Sequence, residues 1–183
     1  HIKGPDFPTG GIIMGRAAIR AAYATGRAKI TLRSVTEIQE WKNDRYRIVV
    51  SEIPYGVNKA RLIESIADLV KEKRIDGISD LRDESDRDGL RIVIELKREA
   101  NAQVVLNQLF TYTQLQDTVG VIMLALVNGQ PKVLTLREIL QNYIDFQREV
   151  ITRRTRFDLG KAKERQHILE GYKIAQDNID EVV

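Results

Sequence analysis

After Pro131 the chain runs to residue 183 without another proline, and that run constrains the architecture more than any other stretch. Thr135-Leu-Arg-Glu138 opens it with a capping-box sequence, whose threonine and glutamate side chains each satisfy a backbone amide of the other residue. Ile139, Tyr143, Phe146, Val150, Arg153 and Phe157 follow at spacings that alternate between four and three, a helical seam close to a heptad. Apolar spacing resumes at Ile168, Tyr172, Ala175 and Ile179. The pattern predicts one helix from Leu136 to about Gln176, on the order of 60 Å long at ~1.5 Å rise per residue. A domain of this size cannot cover such a helix. It is expected to project from the globular part and to pair with an antiparallel helix outside this sequence. Basic residues outnumber acidic ones over residues 132–165, most densely at Arg153-Arg154-Thr-Arg156. Phosphate, an acidic partner domain and plain solvation are the three readings of that charge.

A second stretch sets the middle of the chain. Arg47 to Ile53 is rich in β-branched residues, as strands are. Pro54 removes a ladder donor and fixes φ, Gly56 permits a turn, and Asn58 is a good N-cap. The helix expected over 59–73 carries Leu62, Ile63, Ile66, Leu69 and Val70 on one face. Gly77 to Asp83 and Leu90 to Leu96 read as strands, Asn101 to Tyr112 as a helix, and Val119 to Val127 as a last strand ended by Asn128-Gly129. From Arg45 the order is strand, helix, strand, strand, helix, strand. That is the split βαβ, ferredoxin-like pattern, a four-stranded sheet with two helices on one face. The fold class expected is therefore α+β.

Upstream, Gly10-Gly-Ile-Ile-Met-Gly predicts a short strand, Gly15 to Thr25 a short helix ended by Gly26, and Lys29 to Glu40 a strand. Trp41-Lys-Asn-Asp-Arg reads as a turn, so that Arg45 to Ile53 returns as the second arm of a hairpin, with Trp41 packing across it.

Glu52-Ile-Pro-Tyr-Gly-Val-Asn-Lys-Ala-Arg-Leu, with Asp76-Gly-Ile-Ser-Asp-Leu-Arg-Asp-Glu-Ser-Asp-Arg-Asp-Gly-Leu-Arg-Ile-Val-Ile-Glu-Leu-Lys, resembles the A subunits of bacterial type IIA topoisomerases. The match is nearer to DNA gyrase than to topoisomerase IV and runs from His1 to Val183. It implies three parts: an N-terminal strand, helix and hairpin segment over 1–44 joining to a cleavage module, a ferredoxin-like tower core over 45–130 that the hairpin extends, and a long helix over 131–183, the first part of a coiled-coil arm. Two positions depart from the family pattern, with Ala18 and Ala28 where glycine is expected. If those glycines use positive φ, alanine is costly there.

The same resemblance implies a double-strand passage enzyme that changes DNA supercoiling with ATP. Its partners would be double-stranded DNA, a second A subunit, and the B subunit; its compartment would be the cytoplasm. The family's nucleophilic tyrosine, the neighbouring arginine and the isoleucine wedge lie on a winged-helix domain that precedes the tower. None of the six tyrosines here matches that motif. ATP and Mg2+ are implied for the B subunit, so no catalytic, cofactor or metal residue is expected in this chain.

The residues agree with that. There are no cysteines, and the two histidines, His1 and His167, are far apart. No serine stands in a nucleophile elbow. The glycines at 10, 11 and 15 lack phosphate-loop spacing, and the acidic run over 82–89 lacks the order of a calcium loop. No apolar run approaches the ~20 residues of a membrane span. Val49, Ile92 and Val93 stand where an RNA-binding ferredoxin-like domain would need stacking rings. The chain opens without Met and ends on apolar residues, which reads as a piece of a longer protein.

The net charge is only +3, but Phe7 to Thr36 holds Arg16, Arg20, Arg27, Lys29 and Arg33 and no acid. These five are the candidate DNA-contacting residues, as phosphate neutralisers. A strip facing protein, with no nucleic acid contact, is the alternative.

Overall fold

The computed structural model describes residues 2–41 and 44–182. The turn expected after Trp41 falls in part on residues 42 and 43, outside the described residues, as do His1 and Val183. The chain divides into two units, His1–Leu124 and Ala125–Val183.

In the first unit, β1 (Ile12–Ile13) precedes α1 (Ala17–Thr25), which Gly26 closes in the left-handed conformation. Next come β2 (Arg27–Arg33), β3 (Val35–Trp41) and β4 (Arg45–Glu52). The expected single strand over 29–40 is thus two. At Ser34 the chain leaves one sheet for another: its amide donates to the Leu115 carbonyl at 2.8 Å. Apolar residues alternate at 28, 30 and 32 in β2 but stand at 35, 38 and 41 in β3, so the spacing changes where the chain changes sheet.

From β4 the order runs as anticipated: α2 (Lys59–Lys71), β5 (Ile78–Asp83), β6 (Ile92–Leu96), α3 (Ala102–Tyr112) and β7 (Gln116–Ile122). Both helices start where their caps require. Asn58 Oδ1 accepts from the Arg61 amide at 3.1 Å, and Asn101 Oδ1 accepts from the Gln103 and Val104 amides. The four-stranded antiparallel sheet has the order β3-β4-β6-β5. Strands β4 and β5 are parallel to each other with β6 between them, the split βαβ unit. Ile48, Val50, Ile92, Ile94 and Leu96 from the sheet, Leu62, Ile66 and Leu69 from α2, and Val105, Leu106 and Leu109 from α3 form one buried core.

The α+β class and this helix-backed sheet stand. The strand beside β4 differs from expectation. A ferredoxin-like order would put the last strand there; β3 occupies that edge instead, through the hairpin with β4. The last strand, β7, pairs antiparallel with β2 over seven positions, in a second sheet of order β1-β2-β7. A hairpin closes a short loop, so β3 is entropically the nearer partner for β4. Trp41 lies beneath the Arg47 guanidinium, 4.1 Å from the ring centroid, so it packs within its own hairpin.

Neither Ala18, inside α1, nor Ala28, inside β2, is among the residues with positive φ. Alanine is therefore unstrained at both positions.

The expected strand over 119–127 is divided between β7 and β8 (Leu124–Val127), which pairs with β9 (Gln130–Val133). Asn128 and Gly129 connect β8 to β9 with φ of 52° and 77°, the backbone of a type I′ hairpin turn. In the second unit, α4 (Leu136–Asp177) is a single helix of 42 residues followed by α5 (Ile179–Val182). Both halves of the capping box form: Thr135 Oγ1 accepts from the Glu138 amide, and the Glu138 carboxylate accepts from the Thr135 amide at 2.7 Å. No residue of α4 is buried. Its seam residues Tyr143, Phe146, Phe157 and Tyr172 are all exposed.

Candidate nucleic-acid interface

The β2–β7 ladder decides where the basic residues point. Successive strand residues face opposite sides. Ala28, Ile30 and Leu32 turn to the packed side, where Ile30 and Leu32 are wholly buried, as is Ala22 of the contacting helix α1. Arg27, Lys29, Thr31 and Arg33 therefore share the other side. Their partners across the ladder are Ile122, Gly120, Thr118 and Gln116. No acid stands among these eight residues. The acidic member of β7, Asp117, pairs with Leu32 and so lies on the packed side.

Arg27 and Lys29 are exposed, and no ion pair engages either among the described residues. At a rise of ~3.3 Å per residue their backbone origins are about 7 Å apart. Opposite Lys29, Gly120 has open space where a Cβ would stand, so the strand surface there is low and reachable. Arg33 is differently placed. Its Nε donates to Gln116 Oε1 at 2.6 Å, and its guanidinium lies 4.6 Å from the centroid of the Phe110 ring. It adds charge to the face but is held by protein.

Arg16, the residue before α1, and Arg20, within it, go with that helix to the other side of β2. They line a cleft of about 400 Å³ with Ile2, Lys3, Ile19 and Tyr23. The chain before β1 lies close along the helix here because Gly4 has no side chain; a Cβ would sit 3.1 Å from Ile19 Cδ1. The five sequence candidates are thus brought to two surfaces, not one. Sequence reasoning missed Lys3, which lies outside the acid-free stretch, and Tyr23, which looked structural. It also missed Thr31, Thr118 and Gln116. The alternation of β2 would have pointed to Thr31, but nothing in the sequence pairs β2 with β7.

The acidic turn between β5 and β6 is occupied by its own contacts. Asp83 pairs with Lys59 Nζ at 2.7 Å and accepts from the Ser85 amide. The hydrogen bond from Lys59, with that from Ser85, pulls the Asp83 carboxyl down to about 2. Arg82 donates to Asp80, Glu84 and Glu95, and Glu84 is held low chiefly by Arg91. Among the described residues, no three His, Asp or Glu stand together as a metal site, and no helix is long and apolar enough to cross a membrane.

The family model for the A subunit of DNA gyrase/topoisomerase IV matches residues 1–183. Among curated proteins, the chain is similar to the DNA gyrase A subunit of Clostridium acetobutylicum, with 66% identity over 183 residues, covering 100% of this chain and 22% of that protein. The same subunit of Halalkalibacterium halodurans is 61% identical and that of Fibrobacter succinogenes 60%, each over the whole chain, which covers 22% and 20% of them. The chain thus spans about a fifth of the length of these relatives.

Proposed function

The chain belongs to the family of DNA gyrase/topoisomerase IV A subunits, and from that premise we propose that it is the tower and the first arm helix of a type IIA topoisomerase. The parent assembly would cut one duplex, pass another through it and reseal. It would use a B subunit for ATP and Mg2+, with a second A subunit for the dimer, in the cytoplasm. Names of relatives support this reading: each is a DNA gyrase A subunit matched along the whole of this chain. Residues 1–44 would join the cleavage module, 45–130 form the tower core and 131–183 begin the arm. The exposed apolar seam of α4 would then pair with a second, antiparallel helix and transmit motion to a dimer gate.

This chain's own share is to support an outer arm of bent duplex by phosphate contact, a role that depends on shape and charge more than on base readout. The observation that carries it is the acid-free face of β2 and β7, where Arg27 and Lys29 project freely beside Thr31 and Thr118 and over the bare backbone at Gly120. Arg33 adds fixed charge at one end of the face. Arg16 and Arg20 lie on a separate surface, outside this face.

The test is a fluorescence-anisotropy titration onto a ~30-bp duplex across salt, repeated with Arg27→Ala/Lys29→Ala. A cradle predicts binding that weakens steeply with salt, and a slope of log K against log salt shallower by roughly 2 in the double variant, about 0.9 per lost contact. No binding at low salt would instead assign the face to an acidic protein surface, such as that of the B subunit.

A further inference from the structure

The two sheets of the first unit meet at one end of β2, and the acid-free face lies on the smaller of them. There β2 passes into β3 through Ser34 alone. Arg33, the last residue of β2, is flanked by Ile12 of β1 on one side and Gln116 of β7 on the other. We propose that Glu52, at the end of β4, is a positioning residue for that face: its carboxylate clamps the β1 flank to the four-stranded sheet and so sets the tilt at which Arg27 and Lys29 meet a duplex. This role rests on the duplex reading above.

Each flank of β2 carries its own tie. On the β7 flank, Leu115 is wholly buried in the core of the four-stranded sheet and accepts from the Ser34 amide at 2.8 Å. On the β1 flank, none of the described residues 2–13 belongs to that core. What holds this flank is Glu52, whose Oε2 accepts from the Gly11 amide at 2.5 Å. No ion pair engages Glu52 among the described residues, so the carboxylate is committed to this contact. Two glycines make room for it. Gly10, at φ 70°, closes a turn by donating its amide to the Phe7 carbonyl at 3.0 Å, and a Cβ there would overlap the Glu52 carboxylate. A Cβ on Gly11 would stand 3.1 Å from the Arg33 carbonyl oxygen. Further out, the Phe7 and Tyr55 rings meet with centroids 5.7 Å apart, within the range of aromatic pairs. A sheet held on one flank is free to rock about that line. A second tie on the other flank removes the freedom.

The chain has no cysteine, so Thr118→Cys on β7 and Glu64→Cys on α2, both exposed positions, give two spin labels whose separation reports the tilt by double electron–electron resonance. Wild type and Glu52→Gln, which keeps an acceptor at the same reach, should give one narrow distance distribution. Glu52→Ala and the shorter Glu52→Asp should broaden or shift it. Titration of the same variants, unlabelled, onto the ~30-bp duplex separates position from charge. Glu52→Ala and Glu52→Gln remove the same negative charge, so a purely electrostatic role would tighten both alike. Positioning predicts that Glu52→Ala and Glu52→Asp bind at least ~3-fold more weakly, with a salt slope shallower by about 0.9 for one lost phosphate contact. Glu52→Gln should bind at least as tightly as wild type. Should Glu52→Ala fail to fold, Glu52→Asp against Glu52→Gln carries the same comparison. Distances unchanged in Glu52→Ala and Glu52→Asp overturn the clamp, as does a Glu52→Gln that behaves like Glu52→Ala in both measurements. Failure of the wild-type chain to bind duplex, with the distance changes as expected, would sink the cradle and leave Glu52 as the residue that sets the sheet tilt.

Discussion

At the scale of single residues, the tightest constraint lies where the opening loop meets the end of β4. Gly10 sits at φ 70°, and the Gly11 amide donates to Glu52 Oε2 at 2.5 Å. A Cβ on Gly10 would collide with the Glu52 carboxylate, so Gly10→Ala both strains the backbone and displaces that acceptor. Urea unfolding should show a loss of about 1–3 kcal/mol for Gly10→Ala; a change near zero would mean that the loop is not held there. Asp83 gives a pH signature. Its carboxyl is held at about 2 by Lys59 and Ser85, against an ordinary 3.8. A carboxylate whose pKa is depressed by folding stabilises the fold above its unfolded pKa, and that contribution fades as pH falls from about 3.8 toward 2. Asp83→Asn should therefore flatten the acid limb of stability below pH 4, read from urea midpoints at successive pH values. At pH 7 it should cost less than about 1 kcal/mol, because both partners are partly solvated.

Helix ends carry the next scale. The Thr135–Glu138 box opens a helix with no buried residue, so α4 depends on local terms more than α2 or α3 does. Propagation is favourable once a first turn exists, whereas nucleation is costly. Thr135→Ala should lower the stability of the start of α4 by about 1 kcal/mol. Amide hydrogen exchange at residues 136–140 would report it as protection reduced roughly fivefold, while amides of α2 stay unchanged. Exchange that accelerates equally throughout would show that the cap acts on the chain as a whole. Strands behave otherwise, since their partners lie elsewhere in the chain. Ser34 separates β2 from β3, and this one-residue connection sends the two to different sheets.

For the first unit as a whole, stability rests on the core between the four-stranded sheet and the helices α2 and α3. Ile94 is wholly buried in the central strand β6, whereas Leu126, in the second unit, is 74% exposed. Ile94→Ala should lower the free energy of unfolding by about 2–5 kcal/mol, and Leu126→Ala should change it by less than ~0.5 kcal/mol. Comparable effects at the two positions would contradict the core described. Function follows the same logic at this scale. The acid-free face exists only because β7 contributes Gln116, Thr118, Gly120 and Ile122 to the side of β2 that carries Arg27 and Lys29.

What the sequence determined by itself is local. Asn58, Asn101 and the Thr135–Glu138 box mark three helix starts, because a cap is satisfied within a few residues of chain. The length of α4 follows from the proline-free run after Pro131 with helical apolar spacing at both ends of it, and the family from ordered strings too long to arise by chance spacing. The β3–β4 hairpin was also legible, from the turn after Trp41. Tertiary structure alone decided which distant strands pair: it kept β7 from β4, joined β7 to β2, and put Arg16 and Arg20 on the other side of β2 from Arg27 and Lys29. Strand periodicity says that residues alternate, but not which distant strand lies alongside or which face the core takes. A run of cations continuous in sequence became two surfaces for that reason.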